Sequence, residues 1–194
     1  MEQLSERLQT PISTAELERR WAAVRAAMER DKIDVLLMQN NSDQMGGYVK
    51  YFTDLPATNG YPLTVVFPRD DLMTLVSQGP FGGVTHPAVN GDGVRRGVKQ
   101  WLTTPSFVSC NYTAPYDPEL AAKALSPYAG GTIGLVGTSQ MSFALVDYFQ
   151  KGRFSNARFV EASDLVDKIK AIKSAEEQEL MNWEAEAYRQ SIGR

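Results

Sequence analysis

Hydrophobic positions near the start of the chain recur with a helical period and then give way to short continuous runs. Leu17, Trp21, Val24 and Met28 fall on one face while Glu18, Arg19, Arg25 and Glu29 take the other, which predicts an amphipathic helix over residues 14–30. Its start is marked by the residues around it. The Ser13 hydroxyl can cap the Glu16 amide, the Glu16 carboxylate can reach back, and Ile12 with Leu17 can close a hydrophobic staple. Residues 34–38 (DVLLM) then form an unbroken apolar run, the pattern of a strand buried on both faces.

The rest of the chain alternates in the same way. Residues 63–67 and 72–77 read as a hairpin, since Pro68-Arg69-Asp70-Asp71 between them is turn chemistry. Residues 55–62 and 79–93 are rich in Pro, Gly and Asn and predict loops, and residues 94–102 predict a strand. Asp117 followed by Pro118 predicts a capped helix that stops before Gly130-Gly131. A strand over 132–136, a helix over 141–151 closed by Gly152, and a strand over 157–160 follow. Ser163 is expected to cap a helix toward Ile169, and Ser174 with Glu177 makes a capping box for a last helix. That helix carries Met181, Ala185, Tyr188 and Ile192 on one stripe, more apolar surface than a solvent-facing tail needs. The predicted class is α/β, a layered mixed β-sheet with helices on both faces.

Composition narrows the function. At 194 residues, 43% hydrophobic and 22% charged, the chain can bury a full core and lies outside the disordered regime. With 20 Lys+Arg against 23 Asp+Glu, its net charge of -3 offers no positive field for nucleic acid or anionic lipid. The polar amino terminus does not read as a secretory signal, and no apolar run nears the ~18 residues of a membrane span, so a soluble, cytoplasmic chain is expected. One cysteine, Cys110, and one histidine, His86, cannot build a Cys/His zinc site.

No catalytic constellation emerges from the residues. The unit TIGLVGTSQMS, residues 132–142, comes nearest to a phosphate cradle, yet Gly134 and Gly137 do not make GxGxxG and no Gly-Lys-Ser/Thr follows. Cys110 has no basic neighbour in sequence to activate its thiol. Asp70 and Asp71 suit a hairpin turn, and Glu176, Glu177 and Glu179 suit the positive end of a helix dipole. His86 precedes Pro87 in a loop and is either a substrate-touching group or a plain surface histidine.

Two segments in their order carry a resemblance. The opening helix followed by IDVLLMQNNSDQMGGYVKYFTD resembles the amino-terminal domain of the creatinase/prolidase/Xaa-Pro aminopeptidase family, in which a helix, a buried strand and a Tyr-Leu-Thr-Gly type motif occur in this order. Here the motif reads Tyr51-Phe52-Thr53-Asp54, with Asp54 where the family has glycine. The stretch KIKAIKSAEEQELM, residues 168–181, is similar to the family's linker into its catalytic domain through Ile172-Lys173-Ser174 and Glu176-Glu177.

The resemblance implies a division of labour. It makes residues 1–170 the amino-terminal α/β domain and residues 171–194 the linker and first helix leading into a carboxy-terminal domain of pita-bread fold. That following domain would hold two divalent metal ions (such as Mn, Co or Zn) on Asp, Asp, His, Glu and Glu, a set with no counterpart here, so no catalytic or metal-ligating residue is assigned in this chain. The implied whole is a metal-dependent hydrolase of a peptide or small amide. This half would contribute homodimerisation and the rim of the substrate pocket, for which Asn59, Tyr61 and His86 are the candidates. The competing readings are a self-contained protein-interaction or small-ligand-binding module without hydrolase activity and a nucleotide-binding α/β protein.

Overall fold

β1 (Val35–Asn40) is the strand around which the other elements arrange themselves, because all six of its residues are buried. A strand with no solvent face needs cover on both sides and partners on both edges. Antiparallel β2 (Leu63–Pro68) pairs with one edge and parallel β6 (Thr132–Val136) with the other. The computed structural model describes residues 12–40, 47–55, 61–88, 93–104 and 115–192. Within them lie β3 (Met73–Gln78), β4 (Val84–Thr85), β5 (Val98–Thr104) and β7 (Arg158–Glu161), and the seven-stranded sheet has the order β4-β5-β3-β2-β1-β6-β7. It is mixed: β2 and β4 oppose the direction shared by the other five.

The period of two along β1 divides the core. Leu36 and Met38 pack under α1 (Thr14–Asp31), α2 (Gly47–Thr53) and α5 (Ser163–Ala171), with Leu17, Trp21, Met28, Phe52 and Val166. Val35 and Leu37 face the opposite layer, α3 (Tyr116–Leu125) and α4 (Phe143–Gln150), with Leu125, Leu145 and Phe149. Helices therefore cover both faces, as the alternation of elements predicts. A final helix, α6 (Ala175–Ile192), has no buried residue.

Several local expectations are corrected by tertiary contacts. Ser13 does accept from the Glu16 amide, but Glu16 turns to Arg19 and Arg20 instead of reaching back, and Ser13 N–H donates to Glu176. Asp117 is no cap: the helix begins at Tyr116, two residues before the expected start, and the carboxyl is drawn into the core. Ser163 is likewise the first helical residue, its hydroxyl taken by the Gly137 amide. The strand expected over 94–102 starts only at Val98. Gly97 takes φ +68, and a Cβ there would lie 2.5 Å from the Trp21 ring, so the chain must bend before pairing can begin. Residues 47–53, left without an element by periodicity, form α2.

Among the described residues two non-glycine residues hold left-handed backbone, and each has a separate reason. Lys32 (φ 56) closes α1, with its amide on the Glu29 carbonyl and the following Ile33 amide on Met28 at 2.8 Å, the pattern that usually recruits glycine. Asp54 (φ 58) closes α2 where the motif resemblance expects glycine. Its carboxylate accepts from Arg96 at 2.7 Å and from the Ile12 amide at 3.2 Å, with both charged side chains almost wholly buried. Here an aspartate carries the backbone strain and supplies the anion that Arg96 needs.

These two positions respond oppositely to glycine. Lys32→Gly removes only strain and is expected to stabilise the chain by about 1 kcal/mol, read as a raised denaturant midpoint at unchanged slope. Asp54→Gly gains a similar amount of backbone freedom but leaves Arg96 buried and unpaired, a loss of about 3–5 kcal/mol. The net expectation is clear destabilisation in the same measurement.

Candidate functional site

Because β1, β3, β5, β6 and β7 run in one direction, their carboxyl ends share one edge of the sheet. In open α/β sheets the crevice beyond that edge is where ligands bind. Two groups of residues occupy it, one on each face.

On the face covered by α1, Leu55, Tyr61, Leu63, Ser77, Gln78 and Trp101 line a cavity of about 260 Å³. Trp101 forms a fixed wall, since its indole N–H donates to Ser77 Oγ at 2.6 Å and the Arg95 guanidinium lies 4.3 Å over its ring. An aromatic and aliphatic lining with a few polar atoms suits an apolar side chain or small ring. Of the candidates named from sequence, Tyr61 lines this cavity and Asn59 lies outside the described residues. His86 is carried elsewhere: β4 runs antiparallel to β5, away from the shared edge, and leaves His86 exposed with Nδ1 3.4 Å from the Lys99 carbonyl oxygen.

On the opposite face the edge is a buried polar layer. Gln39 Nε2 donates to Thr64 Oγ1 at 3.0 Å and to Asp117 Oδ2 at 3.3 Å, while its Oε1 accepts from the Ser142 amide at 3.1 Å. One amide side chain thus joins β1, β2, α3 and α4. Burial pushes the Asp117 carboxyl up to about 6, against a lowering influence of the Thr104 hydroxyl. An amide can form such a bridge because it donates and accepts at once.

A third cluster ties α6 to the body. Arg20, buried in α1, donates to Glu16 and to Glu177 at 2.8 Å each and to the Tyr51 carbonyl oxygen at 3.2 Å, with its guanidinium 4.5 Å over the Tyr51 ring. Glu177 and Ser174 make the capping box expected from sequence, at 2.9 and 3.1 Å. Both Ser13 donors meet the Glu176 carboxylate at 2.6 Å. Burial alone would raise the Glu16 carboxyl, but hydrogen bonds from Arg19 and Arg20 outweigh it and bring the pKa down to about 2. That pairing stabilises the fold fully above the ordinary value of 4.5 and is lost as pH falls toward 2. Nearby, burial and the hydrogen bond donated to Asp167 push the Tyr48 hydroxyl up to about 12, and burial lowers Lys170, whose ammonium lies 4.5 Å over the Tyr48 ring.

Chemically, the site can bind and orient. Among the described residues no group of three or more His, Cys, Asp or Glu side chains is placed to hold a metal ion. These residues do not fit the dinuclear centre that the resemblance implies for the following domain. Periodicity missed Trp101, Gln39 and Arg20, although the Glu16-Arg20 spacing of four was a visible ion-pair signal.

No family model matches the sequence, and no curated protein sequence matches it. Solved structures do match. A prolidase from Thermococcus sibiricus has a TM-score of 0.57 at 14% identity over 84% of this chain and 39% of its own. An X-Pro aminopeptidase from Thermotoga maritima has 0.55 at 14% identity over 82% and 38%. A solved chain of the aminopeptidase P from Streptococcus thermophilus has 0.52 at 16% identity over 79% of this chain and 98% of its own. This chain therefore spans about two fifths of the length of the first two, and at such identities the likeness is one of fold. The match falls on the amino-terminal part of these proteins, and the chain has the fold of the amino-terminal domain of the creatinase/prolidase/Xaa-Pro aminopeptidase family.

Proposed function

We propose that this chain is the non-catalytic amino-terminal domain of a metal-dependent Xaa-Pro aminopeptidase, prolidase or creatinase-like hydrolase, and that it walls the substrate pocket and contributes to a homodimer. The observation that carries this reading is α6. Its first turn is fixed to α1 through Arg20, yet Met181, Trp183, Tyr188 and Ile192 are 49–67% exposed, a surface that suits cover by further protein. In this reading residues 1–170 are the domain and residues 171–194 lead into the catalytic one, which would hold two divalent metal ions to supply the hydrolytic chemistry. The cavity beside Tyr61 and Trp101 then supplies an apolar wall for a peptide or small amide substrate. Among the described residues no helix is long and apolar enough to cross a membrane. A cytoplasmic enzyme is the setting we propose.

The alternative, a self-contained interaction module, rests on the same uncovered stripe and separates from the first by a simple measurement. The native protein purified from its source is expected to exceed these 194 residues and to carry two divalent ions per chain; a native protein of this length without hydrolase activity sinks the enzyme reading. In the metal-loaded whole enzyme, Tyr61→Ala and Trp101→Ala are each expected to raise KM for peptide substrates about tenfold, roughly the loss of one or two kcal/mol of apolar contact. Wild-type constants in both variants remove the cavity from the substrate site.

A further inference from the structure

Asp117 stands apart from the other buried carboxyls because no described side chain neutralises it. Glu16 has Arg19 and Arg20, and Asp54 has Arg96, but among the described residues no cation pairs with the Asp117 carboxyl, which is 2% exposed. Its Oδ2 takes the Gln39 amide, and its Oδ1 is buried with no hydrogen-bond partner. A carboxylate in that state forfeits solvation without compensation, whereas the neutral acid does not. Placement in the first turn of α3 favours the anion through the helix dipole, a contribution of about 0.3–1 kcal/mol that burial exceeds.

Among the described residues around it no other charge decides the matter. α3 packs against β2, β3, β5, α4 and the Ser126–Tyr128 turn. β2 and β3 carry no ionisable side chain. β5 contributes Lys99, ion-paired with Asp71. α4 contributes Tyr148 and Asp147, the latter paired with Lys151. The turn contributes Tyr128, and α3 itself carries Tyr116, Glu119 and Lys123. Burial and the Thr104 hydroxyl are what set the Asp117 carboxyl.

We propose that Asp117 makes the docking of α3 on the carboxyl edge of the sheet depend on pH: the neutral acid holds the first turn in place, and the ionised carboxylate loosens it. The device is a latch because Gln39 links Asp117 to the start of α4 through the Ser142 amide, so a loosened α3 also slackens the α4 cap. Its direction follows from linkage. A carboxyl near 6 in the folded state and 3.8 when freed contributes stability that is complete below 3.8 and is lost as pH rises through 6.

Hydrogen exchange of the chain, corrected for the intrinsic pH dependence of exchange, tests the latch. Opening of α3 is expected to rise about tenfold between pH 5 and pH 7.5 relative to β1. The dependence should disappear in Asp117→Asn and persist in His86→Gln, which removes the chain's only histidine. Loss of the dependence in His86→Gln, or its survival in Asp117→Asn, overturns the proposal. Should Asp117→Asn fail to fold, the unmodified chain still decides, because pH-independent opening of α3 rejects the latch.

Discussion

Burial of β1 on both faces is the constraint from which the architecture follows. Four consecutive apolar residues, Val35 to Met38, send side chains alternately into two separate cores, so neither helical layer is dispensable. The strand then ends in Gln39 and Asn40, still buried but polar. That switch turns an apolar core into a hydrogen-bonding edge at the end of the sheet where a ligand-facing surface belongs. Gln39 continues the row of Val35 and Leu37, and for that reason its amide meets α3 and α4 and not α1. One short strand thus sets both the layers and the character of their rim.

The other organising contact is Arg20, which gathers α1, the end of α2 and the first turn of α6 around one guanidinium. A planar fork of donors can serve three acceptors at once, whereas a lysine would reach them only as a point charge. Such a buried pair contributes little net stability against an apolar replacement, but it fixes direction. Direction is what a joint requires: α6 leaves the body at an angle set by Glu177, while its length makes no buried contact. The apolar stripe of α6 is thereby presented instead of collapsing onto its own domain.

Much of the fold was legible because it rests on local patterns. The amphipathic α1, the buried runs of β1 and β6, the β2–β3 hairpin and the Ser174 capping box follow from spacing and turn chemistry alone. What escaped depends on residues far apart in sequence. β5 starts late because Trp21 fills the space beside Gly97, and Asp117 leaves its expected cap because Gln39, 78 residues away, receives it. The candidate site divides along the same line. Tyr61 was reachable through its loop, whereas Trp101 joined it only once β3 and β5 were paired in parallel, an adjacency that periodicity does not encode.

Three buried carboxylates show how the same chemical group is put to different use. Glu16 sits between two guanidinium groups and stays ionised to about pH 2, which suits a permanent joint. Asp54 accepts left-handed backbone to pair with Arg96, and its hydrogen bond from the Ile12 amide ties the segment before α1 to the end of α2. Asp117 has only neutral donors among the described residues, and its carboxyl rises to about 6. Had the polar rim been built for rigidity alone, an asparagine at 117 would accept the Gln39 hydrogen bond without the cost of a buried charge. The aspartate instead leaves a group within reach of neutral pH where Gln39 joins two helices and two strands. The rigid joint at α6 and the titratable rim at α3 each rest on a buried carboxyl group, and what separates Glu16 from Asp117 is the arginine supplied to the first.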